Sequence, residues 1–259
     1  MDGQNLAAEP TGYLRDFRRL IDPPIQRTAA WTEATTRLRF VVEQGRSDAL
    51  VGPRGSGKST LLRELAIDLE RAGWRTSRID LTGMPGASLA PRIADSLGLG
   101  LPLQTPLSQV WRTVTEYCEG LRRCELTRVL ILDHVDQCLP DAVEDLKRWL
   151  RISAYAVSNL MAMSSHAAEL ASELQTIRIE LPRLTVEETR DYVLARLAAM
   201  GIEESIPATS AAQIHEWTTG LPRRINQLCE LVELVAEVDE VDSLDSVELE
   251  SLAAELKSD

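Results

Sequence analysis

The chain has 259 residues, 44% of them hydrophobic and 26% charged, with a formal net charge of −12. That length allows one large or two modest domains with a full core, and the acidity works against non-specific adhesion to nucleic acid or anionic lipid, while leaving room for a local basic patch. No apolar run approaches the ~18 residues of a membrane span, and the start, Met-Asp-Gly-Gln-Asn, lacks the basic-then-apolar pattern of a secretion signal. The expected compartment is therefore the cytoplasm, without membrane insertion. Cys118, Cys124, Cys138 and Cys229 form no Cys-x-x-Cys pair and have no histidine at zinc-ligand spacing, which predicts reduced, mostly buried thiols.

Residues 1–27 carry glycine, proline and mixed charge and read as an N-terminal arm. From Thr28 to Glu43, Trp31, Ala34, Leu38, Val41 and Val42 recur at helical spacing, and Gly45 is expected to end that helix. Asp48 to Val51 is a short apolar strand, followed by Gly52-Pro53-Arg54-Gly55-Ser56-Gly57-Lys58-Ser59-Thr60. This stretch fits the phosphate-loop pattern G-x-x-x-x-G-K-[ST] at every fixed position. A triphosphate needs many donors at short range. Glycines let successive backbone N–H groups converge as an anion nest, Lys58 adds a point charge for the β/γ-phosphates, and the Ser59 hydroxyl suits Mg²⁺. Leu61, Leu62, Leu65, Ala66 and Leu69 then repeat at helical spacing, so the loop stands between a strand and a helix N-terminus.

Thr76 to Leu81 is the next strand, Ser88 to Leu97 a short helix, and Val110 to Arg123 a helix packed by one face. Val129-Leu-Ile-Leu-Asp133 is apolar on both faces, as a central parallel strand must be. It ends in Asp133, the carboxylate expected to orient Mg²⁺ beside the phosphate loop. The following residue is His134, where ATPases of this architecture commonly place the Glu that polarises the attacking water; Asp136 is the nearby alternative base. Asp141 reads as an N-cap for a helix to Ser153, and Asn159 to Ser165 as a buried strand whose terminal Ser164 or Ser165 could sense the γ-phosphate. Thr176 to Leu181 alternates as a last strand exposed on one face.

Beyond Pro182 the pattern is helical, at 185–200, 208–219, 222–237 and 244–256. Five strands alternating with helices predict a parallel sheet covered on both faces, and the purely helical remainder predicts a second subdomain. In Gly220-Leu-Pro-Arg-Arg-Ile-Asn226, Pro222 suits a first helical turn, which fixes Arg223 near the helix start, where its guanidinium could reach a γ-phosphate.

With these residues in view the chain resembles the AAA+ ATPases of the general secretion pathway protein A type, related to transposition-regulator and origin-recognition ATPases. The resemblance rests on Leu38–Thr60, on Val129–Asp133, on Leu181-Pro-Arg-Leu-Thr-Val-Glu-Glu-Thr-Arg-Asp-Tyr-Val193 and on Gly220–Cys229. It implies a P-loop NTPase fold: a three-layer αβα sandwich with a parallel five-stranded sheet at 28–183, and an all-helical lid with an acidic tail at 184–259. It also implies Lys58, Ser59 and Asp133 at ATP and Mg²⁺, Ser164 or Ser165 as sensor one, and Arg223 as sensor two. Two departures stand out: His134 replaces the usual Glu, and His166 to Gln175 carries no Arg to act as a finger towards a neighbour. The expectation is ATP and Mg²⁺ binding that drives lid movement and partner assembly with slow hydrolysis, in a protein with a protein partner and homo-oligomeric tendency. A fully active ATPase acting as a loader or regulator is the alternative. A GTPase is disfavoured by the lack of an Asn-Lys-x-Asp segment, and DNA binding by the net charge.

Overall fold

The structure, a computed structural model, describes residues 27–200 and 208–239. Residues 1–26 of the expected arm at 1–27, and the expected helix at 244–256, lie outside the described residues. The described chain falls into two compact units that divide between Pro182 and Arg183.

The first unit begins with α1 (Ala29–Glu43), whose N-cap Thr28 accepts a bond from the Trp31 N–H, and which closes through left-handed Gly45. Then come β1 (Asp48–Gly52), α2 (Lys58–Arg71), β2 (Thr76–Asp80), α3 (Gly86–Ser96), α4 (Leu107–Arg123) and β3 (Arg128–Asp133). A 3-10 turn, Val135–Gln137, leads to α5 (Ala142–Ser153) and β4 (Val157–Ser164), and a second, Ser165–Ala167, to α6 (Ala168–Glu173) and β5 (Arg178–Glu180). Asp141 precedes α5 as expected, but its side chain caps nothing there. Its backbone is already helical and its carboxylate accepts from the Gly86 N–H at 3.1 Å, tying α5 to α3.

All five strands are parallel, in the order β2-β3-β4-β1-β5. The register pairs Gly52 with Ser164 and Asp80 with Asp133, so the last residues of four strands share one edge of the sheet. Ala49, Val51, Leu130, Leu132, Met161 and Met163 join one core cluster with residues of α3, α4 and α5. The alternating residues Leu50, Ile131, Leu160 and Ala162 are equally buried, on the side of α1 and α2. Burial on both faces explains why β3 and β4 read as continuous apolar runs rather than alternating ones. The last strand is shorter than Thr176 to Leu181: only Arg178–Glu180 pairs, and only Ile179 is buried, as suits an edge.

The second unit contains α7 (Val186–Met200), α8 (Ala208–Thr218) and α9 (Pro222–Asp239) around Leu184, Val193, Leu197, Ile214, Ile225 and Leu228. Thr185 and Glu188 form a reciprocal capping box at the start of α7, with bonds of 2.9 and 3.2 Å. Pro222 occupies the first position of α9, where its missing N–H is harmless. Gly220 takes φ +65°, and a Cβ there would stand 2.3 Å from the Leu184 carbonyl, so the turn before α9 admits only glycine.

All four thiols are free; Cys118 and Cys229 are buried, Cys138 is half-buried, and Cys124 is exposed. Burial pushes the Cys118 thiol up to about 11, so it stays protonated and packs as an apolar side chain.

Candidate functional site

The turn from β1 into α2 is built by glycine geometry. Gly55 and Gly57 take φ values of +82° and +96°, and left-handed Gly57 is the N-cap of α2. Gly52 is required for a different reason: a Cβ there would lie 2.3 Å from the Leu181 carbonyl. The N–H groups of the first turn of α2 have no partner inside that helix and face the hollow of the loop with the positive end of the helix dipole. Lys58 folds over the loop and donates to the Gly52 and Pro53 carbonyls, both at 2.8 Å. Ser56 lies under the same loop, and its buried hydroxyl has no hydrogen-bond partner. An idle donor in a glycine cradle fits an anionic oxygen, which supplies the acceptor the protein withholds.

Asp133 is the buried centre of the polar cluster at this edge, only 1% exposed. Its Oδ1 accepts from the Ser59 hydroxyl at 3.1 Å and from the His134 N–H at 3.0 Å, and its Oδ2 accepts from Arg78 Nη2 at 2.5 Å. Ser59 and Asp133, 74 residues apart in sequence, thus come together as two hard oxygen donors of the type that suits Mg²⁺. No group of three or more His, Cys, Asp or Glu side chains among the described residues could hold a metal alone. An ion between Ser59 and Asp133 would complete its shell from water and phosphate, as Mg²⁺ commonly does.

His134 leaves the strand in a left-handed conformation, φ +52°. Its Nδ1 lies 3.2 Å from Asp80 Oδ1 and 3.7 Å from Asp133 Oδ1. Partial burial works against ionisation of Asp80, but bonds from the Thr82 hydroxyl and N–H, with His134 beside it, hold its carboxyl below the usual range. Asp136, half-buried on the 3-10 turn, belongs to the same electrostatic neighbourhood as Lys58. Burial and the Arg54 charge pull the Lys58 ammonium below its ordinary value, while Asp136 and Asp133 oppose them.

Ser164 closes β4 beside Gly52 and is 8% exposed, whereas Ser165 is already in the following 3-10 turn and exposed. Arg223, at the second position of α9, is exposed in the helical unit. Two charged residues were not anticipated: Arg78 and Asp80, both from β2. Their signal was the alternation in Thr-Ser-Arg-Ile-Asp, which puts Arg78 and Asp80 on one face with Ile79 opposite. What the sequence lacked was the pairing of β2 with β3, which brings that face to Asp133.

Comparison with known proteins agrees with this architecture. "Hemin import ATP-binding protein HmuV" of Deinococcus radiodurans is 36% identical over 181 residues, 65% of this chain, and the chain spans 62% of that relative's length. Among solved structures, "Structure of Drosophila ORC bound to DNA" superimposes with a TM-score of 0.71 at 14% identity, covering 99% of this chain and 69% of that one. The structure of Cdc6p from Pyrobaculum aerophilum gives a TM-score of 0.66 at 17% identity, covering 86% and 66%. At such identities the likeness speaks for the P-loop fold alone. A family model described as "AAA domain" matches residues 42–171, half of the chain, from the end of α1 into α6. The chain therefore belongs to the AAA domain family.

Proposed function

We propose that this protein binds ATP with Mg²⁺, that nucleotide state sets the disposition of the helical unit as a lid and the assembly of a protein partner or of further copies, and that hydrolysis is slow. The reading is carried by one observation: the Ser59 hydroxyl meets buried Asp133 at 3.1 Å beside a glycine loop whose buried Ser56 hydroxyl is idle. In this reading residues 52–60 cradle the phosphates, Lys58 gives up its two carbonyl partners for phosphate oxygens, and Ser59 and Asp133 hold the metal, which neutralises phosphate charge. Ser164 acts as sensor one and Arg223 as sensor two. The name of the Deinococcus radiodurans relative, an ATP-binding protein, supports the choice of nucleotide. The capping box at Thr185 and the glycine turn at Gly220 give a structural role to motifs that carry the likeness to the secretion-pathway type, so that narrower kinship rests on sequence pattern alone.

Slow hydrolysis follows from His134. Its imidazole is turned towards Asp80 and Asp133, and it lacks the fixed negative charge and longer reach of a Glu at neutral pH. Calorimetric titration with ATP and MgCl₂ should show binding that Lys58→Ala weakens about 10- to 100-fold, the loss of one charge-assisted phosphate contact. Equal affinity in the two proteins would sink the proposal. Steady-state phosphate release should be very slow and should rise in His134→Glu. The second reading, a fully active ATPase, is favoured by Asp136 standing half-buried near Lys58. Brisk wild-type turnover that collapses in Asp136→Asn would select it.

A further inference from the structure

Both carboxylate oxygens of Asp133 are engaged by the protein itself. Its Oδ1 faces the phosphate-loop side, taking bonds from Ser59 and from the His134 N–H, and its Oδ2 is held by the Arg78 guanidinium at 2.5 Å. The two partners of that ion pair differ sharply in exposure, the Asp133 side chain being 1% accessible and that of Arg78 43%. A carboxylate this deep needs a compensating charge, because an isolated buried anion is strongly unfavourable. Arg78 supplies it from the neighbouring strand, where it stands opposite Ile131, two residues before the Asp80–Asp133 pair. Its long side chain keeps much of its surface in solvent, so swinging away costs little beyond the bond itself.

From this we infer that Arg78 is the resident counter-cation of Asp133, competes with a divalent ion for that carboxylate, and thereby sets the magnesium concentration at which the nucleotide site fills. The inference rests on the reading of Ser59 and Asp133 as the metal ligands. Arg78 pairs with Asp133 when no metal is held, so the buried carboxylate is never left uncompensated, and it yields Oδ2 when a divalent cation is taken up. Charge at Asp133 is then balanced in both states, and the site gains a threshold: metal is accepted only where its concentration outweighs a tethered guanidinium. Arg78 is a positioning residue acting through Asp133, with no contact to the nucleotide required.

The test is equilibrium ATP binding to the full chain, titrated with MgCl₂ and repeated in EDTA, for wild type, Arg78→Gln, Arg78→Lys, Asp133→Asn and the double variant Arg78→Gln/Asp133→Asn. Arg78→Gln should lower the magnesium midpoint roughly tenfold, the loss of one competing charge-assisted bond, and leave affinity in EDTA unchanged. Arg78→Lys, which keeps the charge without the planar fork, should fall between wild type and Arg78→Gln, and it carries the test if Arg78→Gln fails to fold. Adding Arg78→Gln to Asp133→Asn should move nothing further. An unchanged midpoint in Arg78→Gln overturns the inference, as does weaker binding in EDTA, which would mean that Arg78 touches the nucleotide itself. Wild type that binds no ATP, or whose binding is indifferent to both magnesium and Lys58→Ala, removes the underlying reading instead.

Discussion

Asp48 and Asp133 are both buried carboxylates of the same sheet, 3% and 1% exposed, at opposite ends of its strands. Their surroundings give them different meanings. Asp133 collects a guanidinium, a hydroxyl and a backbone N–H, whereas Asp48 takes one bond to Oδ1 from the Ile177 N–H at 3.1 Å. For Asp48 burial outweighs that bond and the nearby Arg46, and its carboxyl is pushed above the ordinary range. A raised carboxyl means that the folded state holds its proton at a pH where the unfolded chain has released it. Stability contributed at Asp48 is therefore greatest in acid and declines as pH rises through the folded pKa. Asp48→Asn keeps an acceptor for Ile177 and removes the charge. Wild type should thus gain thermal stability relative to the variant as pH falls from about 7 to about 4, and parallel melting curves across that range would refute it. The candidate site residues could be picked out because phosphate-loop chemistry constrains type and spacing together. Arg78 was not, because an arginine on an alternating strand is ordinarily a solvated one, and only its pairing with β3 gives it a buried partner.

At the level of elements, one junction carries more than its length suggests. Asn159 lies fully buried near the start of β4, its Oδ1 accepting from Trp149 Nε1 at 2.7 Å. Its Nδ2 donates to Ser47 Oγ and Ser153 Oγ, both at 2.9 Å, and to the Val157 carbonyl at 3.1 Å. One amide thus ties the end of α5, the entry to β1 and the beginning of β4, with both its oxygen and its nitrogen engaged. Asn159→Ala would leave the Trp149 N–H buried without an acceptor and open a small void. We expect a loss of about 2–4 kcal/mol, read as a lower urea midpoint with the slope unchanged. A change below about 0.5 kcal/mol would mean that the network contributes little, as for an ordinary surface site. The existence and kind of the described strands, and of every described helix but the six-residue α6, could be read from hydrophobic period and punctuation, since buried parallel strands and amphipathic helices leave different repeats. The role of Asp141 could not, because a residue before a helix reads the same whether it caps that helix or reaches across to another.

For the molecule as a whole, alternating strands and helices followed by helices alone pointed to a sandwich and a helical unit. The strand order was not legible, since β2 and β3 lie on the far side of β4 from β1 and no local pattern encodes that crossing. That order decides the site: with β4 between β1 and β3, the phosphate loop and Asp133 arrive from strands that do not pair, and the side chain of Ser59 spans the interval. A further consequence lies at Gly52. The Leu181 N–H donates to the Val51 carbonyl at 2.8 Å, and the Leu181 carbonyl leaves no space for a Cβ on Gly52. Leu181 is also the penultimate residue of the sandwich, one peptide before Pro182 and two before the helical unit begins. The first residue of the loop and the last span of backbone leaving the sheet are thus pressed together like adjoining teeth of a gear. A side chain at position 52 would therefore displace the backbone that leaves the sheet as well as the loop itself.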